Sequence, residues 1–121
     1  MTNNIAEKYN KFQNDFGQNV EQDYDAFIES LFSPESTKTA NGQVLVANRD
    51  ELKGQLTSVR DMAGGWTMDI KYVIESATDQ NYVIRYILVT EKLGDFDVMA
   101  LVGSLDGVKI DFIDEVYYQV V

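Results

Sequence analysis

One carboxylate near the end of the chain lies in a setting that could give it acid–base chemistry. Strict two-residue alternation along the last predicted strand, residues 108–120, puts Asp114 on the same side as Ile110, Phe112, Val116 and Tyr118. Such neighbours would exclude water and favour the protonated carboxyl group, so that Asp114 could act as a general base or as a hydrogen-bond donor in a pocket. The alternative is a β-bulge near Ile113, which would turn Asp114 toward water and bury Ile113. Asp114 is therefore a candidate for catalysis, and no catalytic residue is assigned.

Arg85 is the second residue with possible binding chemistry. It is the only basic residue in the middle of the predicted strand 82–92, and apolar residues flank it on its own face. Its guanidinium could bind a ligand carboxylate, because two of its N–H groups match the two oxygens. It could instead form an ion pair across the sheet with Asp97, Asp111 or Glu115, and this is the favoured interpretation.

Aromatic residues supply the other candidates for a ligand pocket. Their rings would offer apolar surface, and their hydroxyl groups hydrogen bonds, to a small apolar or amphipathic ligand; these residues are Tyr24, Phe27, Trp66, Tyr72 and Tyr86. Aromatic residues at such spacings form ordinary core more often than pockets. The acidic residues of the second predicted helix indicate solvated surface and not a metal site, because the spacing of a hard-cation loop is absent.

The composition excludes several classes of function. The chain has no cysteine and no histidine, which removes disulfides, thiolate nucleophiles, the usual general base and the commonest zinc ligands, so we expect no metal and no cofactor. Twenty acidic residues against ten basic ones give a formal charge of −10. This charge repels phosphate backbones and anionic lipids, so neither nucleic acid nor a membrane is an expected partner. We expect a cytoplasmic protein, because no apolar run reaches the ~20 residues of a membrane span and the amino terminus does not have the pattern of a secretory signal.

Helical periodicity dominates the first half of the chain. The length of 121 residues predicts one domain over 1–121. Apolar residues at spacings of four, three and four predict a helix over 4–16. A second helix is predicted over 19–31, opening with the capping-box residues Asn19 and Gln22, and a third follows Asn48 and ends at about residue 62. Asn41-Gly42 predicts the turn of a hairpin between them.

Four strands joined by short connections fill the second half and must be antiparallel neighbours. In the first of them one face is predicted to be buried, and it carries Trp66, Met68, Ile70, Tyr72 and Ile74. In the next two strands both faces are mostly apolar. Three short helices can cover one face of this sheet, so we predict a homodimer in which a second copy covers the other. The alternative is that these are ordinary exposed aliphatic residues.

The order of these elements resembles the nuclear transport factor 2-like superfamily, and its SnoaL-like branch in particular. The resemblance spans nearly the whole chain and rests on three segments: Gln22-Asp23-Tyr24-Asp25-Ala26-Phe27 leading to Leu31-Phe32, Asn48-Arg49-Asp50-Glu51-Leu52, and Asp106-Gly107-Val108-Lys109-Ile110. It implies an α+β cone in which three amino-terminal helices pack in the concave face of a strongly curved, mostly antiparallel sheet. A ligand pocket would lie between helices and sheet.

The resemblance does not imply one activity, because the superfamily includes isomerases, dehydratases, cyclases and epoxide hydrolases. The chain lacks the histidine of the dehydratase type and the acid that the ketosteroid isomerase type has before the third helix, although Tyr9 lies in the first helix. It reads Arg85-Tyr86-Ile87 where the epoxide hydrolase type has Arg-x-Asp. We expect a small-molecule-binding protein with an apolar pocket, and weak isomerase- or cyclase-like activity through Asp114 and a tyrosine stays open. The alternative is a non-catalytic dimerisation or protein-interaction module that uses the outer sheet face.

Overall fold

Three helices pack against one face of a six-stranded sheet. The structure, a computed structural model, describes residues 5–76 and 80–120. The helices are α1 (Ile5–Gln18), α2 (Asp25–Leu31) and α3 (Arg49–Ala63), and the strands are β1 (Phe32–Ala40), β2 (Gln43–Val46), β3 (Trp66–Glu75), β4 (Asn81–Thr90), β5 (Asp95–Gly103) and β6 (Ile110–Gln119). The strand order is β2-β1-β6-β5-β4-β3, and only β1 and β6 pair in parallel. The predicted α+β class, with helices on a curved and mostly antiparallel sheet, is confirmed.

Local signals placed the first and third helices and the hairpin correctly. The predicted stripe of α1 is buried along its whole length, through Ile5, Tyr9, Phe12 and Phe16. Asn48 caps α3 by accepting a hydrogen bond from the backbone of Glu51, and Gly64 ends the helix at φ 69°. Asn41 and Gly42 both have positive φ, 50° and 82°, as the tight turn between β1 and β2 requires.

The second helix begins six residues later than the sequence predicts, at Asp25 and not at Asn19. Arg60 of α3 explains the difference. Its Nη1 donates to the backbone oxygens of Phe16 and Asn19, and its Nη2 donates to that of Gln22. Because this side chain holds the carbonyl groups of Asn19 and Gln22, which follow α1, they do not accept the hydrogen bonds of a new helix.

A β-bulge in β3 reverses the predicted orientation of its second half. Ile70 pairs with Tyr86, but the next pair along the strands is Tyr72 with Arg85, so Lys71 is an extra residue. One inserted residue moves every later side chain to the opposite face. Tyr72 therefore lies on the outer face of the sheet beside Arg85, and its predicted place on the buried face is wrong. Ile74 follows it.

A second irregularity reverses the orientation of β6. The pairing with β1 jumps from Phe32–Ile110 to Thr37–Phe112. Beyond this shift Ile113 is buried, Asp114 is exposed and Glu115 is buried again. The β-bulge alternative therefore describes the strand, and strict alternation does not. Asp114 points to the outer face, because the bulge leaves two inward residues, Ile110 and Ile113, three positions apart.

The core lies between the helices and the concave face of the sheet. Rings from α1 meet one another and Phe32 of β1, with Tyr9, Phe12 and Phe16 each about 1% exposed. The concave face contributes small and branched residues opposite them, Ile84, Val98, Ala100, Val102, Ile110 and Ile113. The large aromatic residues of α1 fill one end of the hollow, and smaller side chains of α3 leave space at the other.

Candidate functional site

A cavity of about 230 Å³ lies between α3 and the concave face of the sheet. Its walls are apolar and come from α3 and from strands β3 to β5; they include Leu56, Val59, Ala63, Trp66, Leu88, Phe96 and Val98. Its floor is polar and consists of Gln13, Lys38, Gln55, Tyr86 and Glu115. Its rim is apolar and partly exposed, and consists of Leu45, Met62, Leu93 and Tyr117. The cavity thus offers an apolar body and a polar inner end.

Trp66 forms one wall because α1 carries a glycine opposite it. A Cβ atom on Gly17 would lie 2.3 Å from Cδ1 of the indole, which is far inside van der Waals contact. The indole Nε1 donates to the backbone oxygen of Gln13 at 3.0 Å. The contact with Gly17 and the hydrogen bond to the Gln13 carbonyl group together fix the position of the Trp66 side chain.

The floor brings together polar side chains from five elements. Gln13 of α1 donates from Nε2 to the hydroxyl oxygen of Tyr9 at 2.9 Å. Lys38 of β1 donates from Nζ to Oε1 of Gln55 at 3.3 Å, and the same Nζ lies 3.9 Å from Oε1 of Glu115 on β6. Both charged side chains of this pair are about nine-tenths buried. Lys38 and Glu115 therefore balance each other's charge inside the cone.

Two buried tyrosine hydroxyl groups, that of Tyr86 on the floor and that of Tyr9, which accepts from Gln13, keep their protons at neutral pH. Burial raises the pKa of Tyr9, and the negative charge of Glu115 raises it further. Burial also raises the pKa of Tyr86 well above its usual value, with smaller contributions in the same direction from Tyr9 and Glu115, while the neighbouring amide of Gln13 opposes the shift. The floor therefore presents neutral hydroxyl groups and no phenolate.

One floor atom has an unused hydrogen-bonding capacity. The side chain of Gln13 is buried, and its Oε1 has no hydrogen-bond partner among the described residues. Buried polar atoms are nearly always paired, so this oxygen is an exception within the core beside the cavity.

Of the aromatic residues that the sequence singled out, Trp66 and Tyr86 line the cavity. Tyr24 and Phe27 do not. Phe27 stacks on Phe12 with ring centroids 5.6 Å apart and is 44% exposed, and Tyr24 meets Phe12 edge to face. Both pack against the outside of the aromatic core, away from the cavity.

The other three predicted pocket residues, Tyr72, Arg85 and Asp114, lie on the outer face. Arg85 donates to Asp97 twice, from Nε at 3.1 Å and from Nη2 at 2.6 Å, so the predicted ion pair is confirmed with Asp97 as the partner. Tyr118 donates to the same carboxylate at 3.1 Å. The Arg85 guanidinium holds the pKa of Asp97 below its usual range, and that of Arg85 is raised in turn. This cluster cannot reach a ligand inside the cone.

The sequence analysis missed Gln13 and Lys38 and considered Glu115 only as a partner of Arg85. A usable signal exists for Gln13, which follows Tyr9 by four residues and therefore lies on the buried stripe of α1. Lys38 lies two residues from each of the buried residues Ser36 and Ala40 of β1, so all three share one face of the strand. The floor residues could therefore have been recognised as polar residues at positions that the pattern predicts to be buried.

The floor can donate and accept hydrogen bonds and can place one carboxylate against a bound molecule. Within the ranges 5–76 and 80–120 no group of three or more acidic side chains could hold a metal ion. None of the helices in those ranges has the length and apolar character of a membrane-spanning segment.

No protein-family model matches the sequence, and no curated protein matches it. Solved structures do match. A nuclear transport factor 2-like protein of unknown function from Exiguobacterium sp. 255-15 has a TM-score of 0.76 at 20% identity, over 96% of this chain and 99% of that chain. A candidate SnoaL-like polyketide cyclase from Jannaschia sp. CCS1 has a TM-score of 0.75 at 12% identity, over 93% and 84% of the two chains.

An uncharacterized cystatin-fold protein from Novosphingobium aromaticivorans has a TM-score of 0.73 at 15% identity, over 94% of this chain and 98% of that chain. Similarity at these identities concerns the fold. The helices in the concave face of the sheet, the cavity beneath α3 and these neighbours together establish that the chain has the nuclear transport factor 2-like fold, with structural neighbours of the SnoaL-like type.

Proposed function

We propose that the protein binds a small, mostly apolar molecule in the cavity between α3 and the concave face. The supporting observation is the combination of apolar walls with a floor of buried polar groups, of which Gln13 Oε1 is unpaired. Sites for small molecules have this composition, with a few polar groups that fix the orientation of an apolar body. A cavity of roughly 150 Å³ holds benzene. The observed volume of about 230 Å³ therefore suits a molecule of one or two rings.

Acid–base catalysis, if the protein has any, belongs to Glu115 and not to Asp114. Glu115 is the carboxylate on the cavity floor, whereas Asp114 faces away from it. Lys38 provides a counter-charge 3.9 Å from the carboxylate, and the protonated hydroxyl of Tyr86 lies on the same floor. A carboxylate beside hydroxyl donors is suited to moving a proton within a bound molecule. The Jannaschia neighbour is a candidate polyketide cyclase, and that type of activity is compatible with such chemistry.

Binding can be tested with Prodan, 6-propionyl-2-(dimethylamino)naphthalene, a neutral fluorescent probe with two fused rings. We expect its emission to rise on mixing with the protein, because the cavity removes the probe from water. Val59→Trp, on the cavity wall, should abolish this rise by filling the space. Thr57→Trp is the matched control, because Thr57 is exposed on the same helix. A rise that survives in the Val59→Trp protein would place the probe elsewhere and contradict the proposal.

The outer face of the sheet supports a second candidate function, association with another copy of the chain. This face carries apolar side chains from four neighbouring strands, Tyr72, Ile74, Val83, Ile87, Met99, Leu101, Val116 and Tyr118. Several of them are well exposed, and Val116 is 55% exposed. Arg85 and Asp97 neutralise each other at its centre. The face also carries Asp114, but it is mostly apolar, so in a chain with a net charge of −10 it is where two copies can meet with the least repulsion.

Sedimentation at micromolar concentration tests this association. We expect twice the chain mass of 13.7 kDa for the unmodified protein. Val116→Glu should give the single-chain mass, because two copies would then bring unpaired carboxylates together. Leu105→Glu is the control, since Leu105 is the more exposed residue and lies in the β5–β6 connection, off the sheet. A single-chain mass for the unmodified protein would refute the dimer.

The cytoplasmic location stays a prediction.

A further inference from the structure

Glu115 has a carboxylate without hydrogen-bond donors. Among the described residues that line the cavity, Glu115 is the acidic one and Lys38 the basic one. The Nζ of Lys38 lies 3.9 Å from Oε1 of Glu115, which is too far for a hydrogen bond. No described residue donates a hydrogen bond to this carboxylate. Buried polar atoms are nearly always paired, so the carboxylate requires donors from a molecule in the cavity.

A molecule in the cavity can reach this carboxylate. The side chain of Glu115 keeps 11% of its surface accessible, and it lies on the concave face, where the cavity is the adjoining space. The unpaired polar atoms that are sealed from solvent in the described chain belong to other residues, with Gln13 Oε1 among them. The oxygens of Glu115 are therefore open to the cavity. A ligand that displaces water from them has to donate hydrogen bonds in return.

The charges of the floor restrict the donor to a neutral group. A cationic group would satisfy Glu115 but bring a second positive charge beside Lys38, and a carboxylate would satisfy Lys38 but repel Glu115. Lys38 donates one of its three protons to Gln55 and keeps donors for an acceptor atom. The group that matches both charged side chains is therefore uncharged and carries a donor and an acceptor.

A carboxamide has this arrangement. Its N–H donor and its carbonyl oxygen are separate atoms, so one can meet the carboxylate while the other meets the ammonium group 3.9 Å away. A hydroxyl group would have to serve both from a single oxygen. The charged pair is about nine-tenths buried, whereas the rim residues Leu45 and Met62 are 44% and 58% exposed. The polar group of a ligand is therefore innermost, and its apolar body extends toward the rim.

Resting on the proposed function, we infer that the natural ligand is a small aromatic or alicyclic carboxamide or lactam, which donates an N–H group to Glu115 and accepts a hydrogen bond from Lys38.

Five compounds with the same 2-naphthyl body test this inference by titration calorimetry. 2-Naphthamide has the donor and the acceptor, 2-acetonaphthone has a methyl group in place of the NH2 group, and 2-naphthoate and 2-naphthamidine carry a negative and a positive charge on the same framework. 2-Naphthalenemethanol has a hydroxyl group alone. We expect 2-naphthamide to bind at least about tenfold more tightly than the ketone and than either ion, as one hydrogen bond to a buried charged group implies. It should also bind more tightly than the alcohol.

A double substitution tests the assigned partners. Lys38→Met with Glu115→Leu removes both charges together and so leaves neither buried without its counter-charge. It should bring the affinities for 2-naphthamide and 2-acetonaphthone to within about twofold of each other. Asp114→Leu is the matched control, because it removes an exposed carboxylate on the outer face of the same strand, and it should leave the preference unchanged. If the double variant does not fold, the five compounds on the unmodified chain are decisive by themselves.

The outcomes separate this inference from the proposed function. Any of the other four compounds that binds as tightly as 2-naphthamide overturns the inference, while binding in the cavity stands. A preference for 2-naphthamide that survives the double substitution places the amide elsewhere and also overturns it. If none of the five compounds binds but the emission of Prodan rises, the inference alone fails. If Prodan does not bind either, both proposals fail.

Discussion

Two glycine-to-alanine substitutions in helices should change the stability of this protein in opposite directions. Gly17 of α1 lies against Trp66, and a Cβ atom there would come within 2.3 Å of the indole. Gly54 of α3 has no atom within 4 Å of the position that a Cβ would occupy. Intrinsic helix propensity favours alanine at both positions, so any difference between the variants reports tertiary packing.

The expected magnitudes follow from these contacts. Gly54→Ala should stabilise the protein by about 1 kcal/mol, the ordinary difference in helix propensity. Gly17→Ala gains less than this, because Gly17 is the next-to-last residue of α1. Displacing the indole costs about 1 to 3 kcal/mol for overpacking. Losing the bond from Trp66 Nε1 to Gln13 costs about 1 kcal/mol more. The net destabilisation by Gly17→Ala should therefore be about 1 to 4 kcal/mol.

Urea denaturation followed by fluorescence measures both effects. Trp66 is the only tryptophan of the chain, so its emission reports the wall of the cavity directly. Gly17→Ala should lower the urea midpoint and shift the native emission, while Gly54→Ala should raise the midpoint and leave the native emission unchanged. A Gly17→Ala protein as stable as Gly54→Ala would refute the close approach of α1 to Trp66, and with it the position of the cavity wall.

Two further predictions concern the charged pairs on the two faces of the sheet. Because Arg85 lowers the pKa of Asp97 in the folded state, the pair contributes stability above the ordinary aspartate pKa of about 3.9 and loses that contribution as the pH falls through the lower folded value. Asp97→Asn should therefore be less stable than the unmodified protein at pH 7, and the difference in thermal midpoint should shrink on acidification; a difference that grows would contradict the pairing. On the concave face, Lys38→Met should destabilise by about 1 to 3 kcal/mol by leaving Glu115 without its counter-charge. Adding Glu115→Leu should restore most of the loss in urea unfolding, and additive losses would show that the two side chains do not interact.

The sequence alone determined the type and order of most elements. The stripe of α1, the cap of α3, the Asn41-Gly42 turn and the four long strands are encoded by neighbours within a few residues, and short-range periodicity is sufficient to detect them. The same patterns placed Trp66 and Tyr86 correctly on the concave face. The resemblance to the cone fold depends on this order, and the neighbouring structures confirm it.

Tertiary structure decided which side chains meet in the cavity. The bulge at Lys71 inserts one residue in β3, and the irregular pairing of β1 with β6 leaves both Ile110 and Ile113 facing inward; each change exchanges the two faces of the strand beyond it. As a result, Glu115 and not Asp114 lies on the cavity floor, and Tyr72 lies on the outer face. A bulge is selected by the register that neighbouring strands impose, so the alternation within β3 did not reveal the bulge there, and in β6 the sequence offered the bulge only as one of two alternatives.

The late start of α2 has the same kind of cause, because Arg60 contacts the segment before it from a distant part of the chain.

The polar floor shows most clearly what the sequence alone cannot predict. Gln13, Lys38 and Glu115 belong to separate elements, and each alone is only an unexpected polar residue on a buried face. They become one site only because β1 pairs with β6 and α1 packs against the concave face of the same sheet, around a space that no single segment encloses.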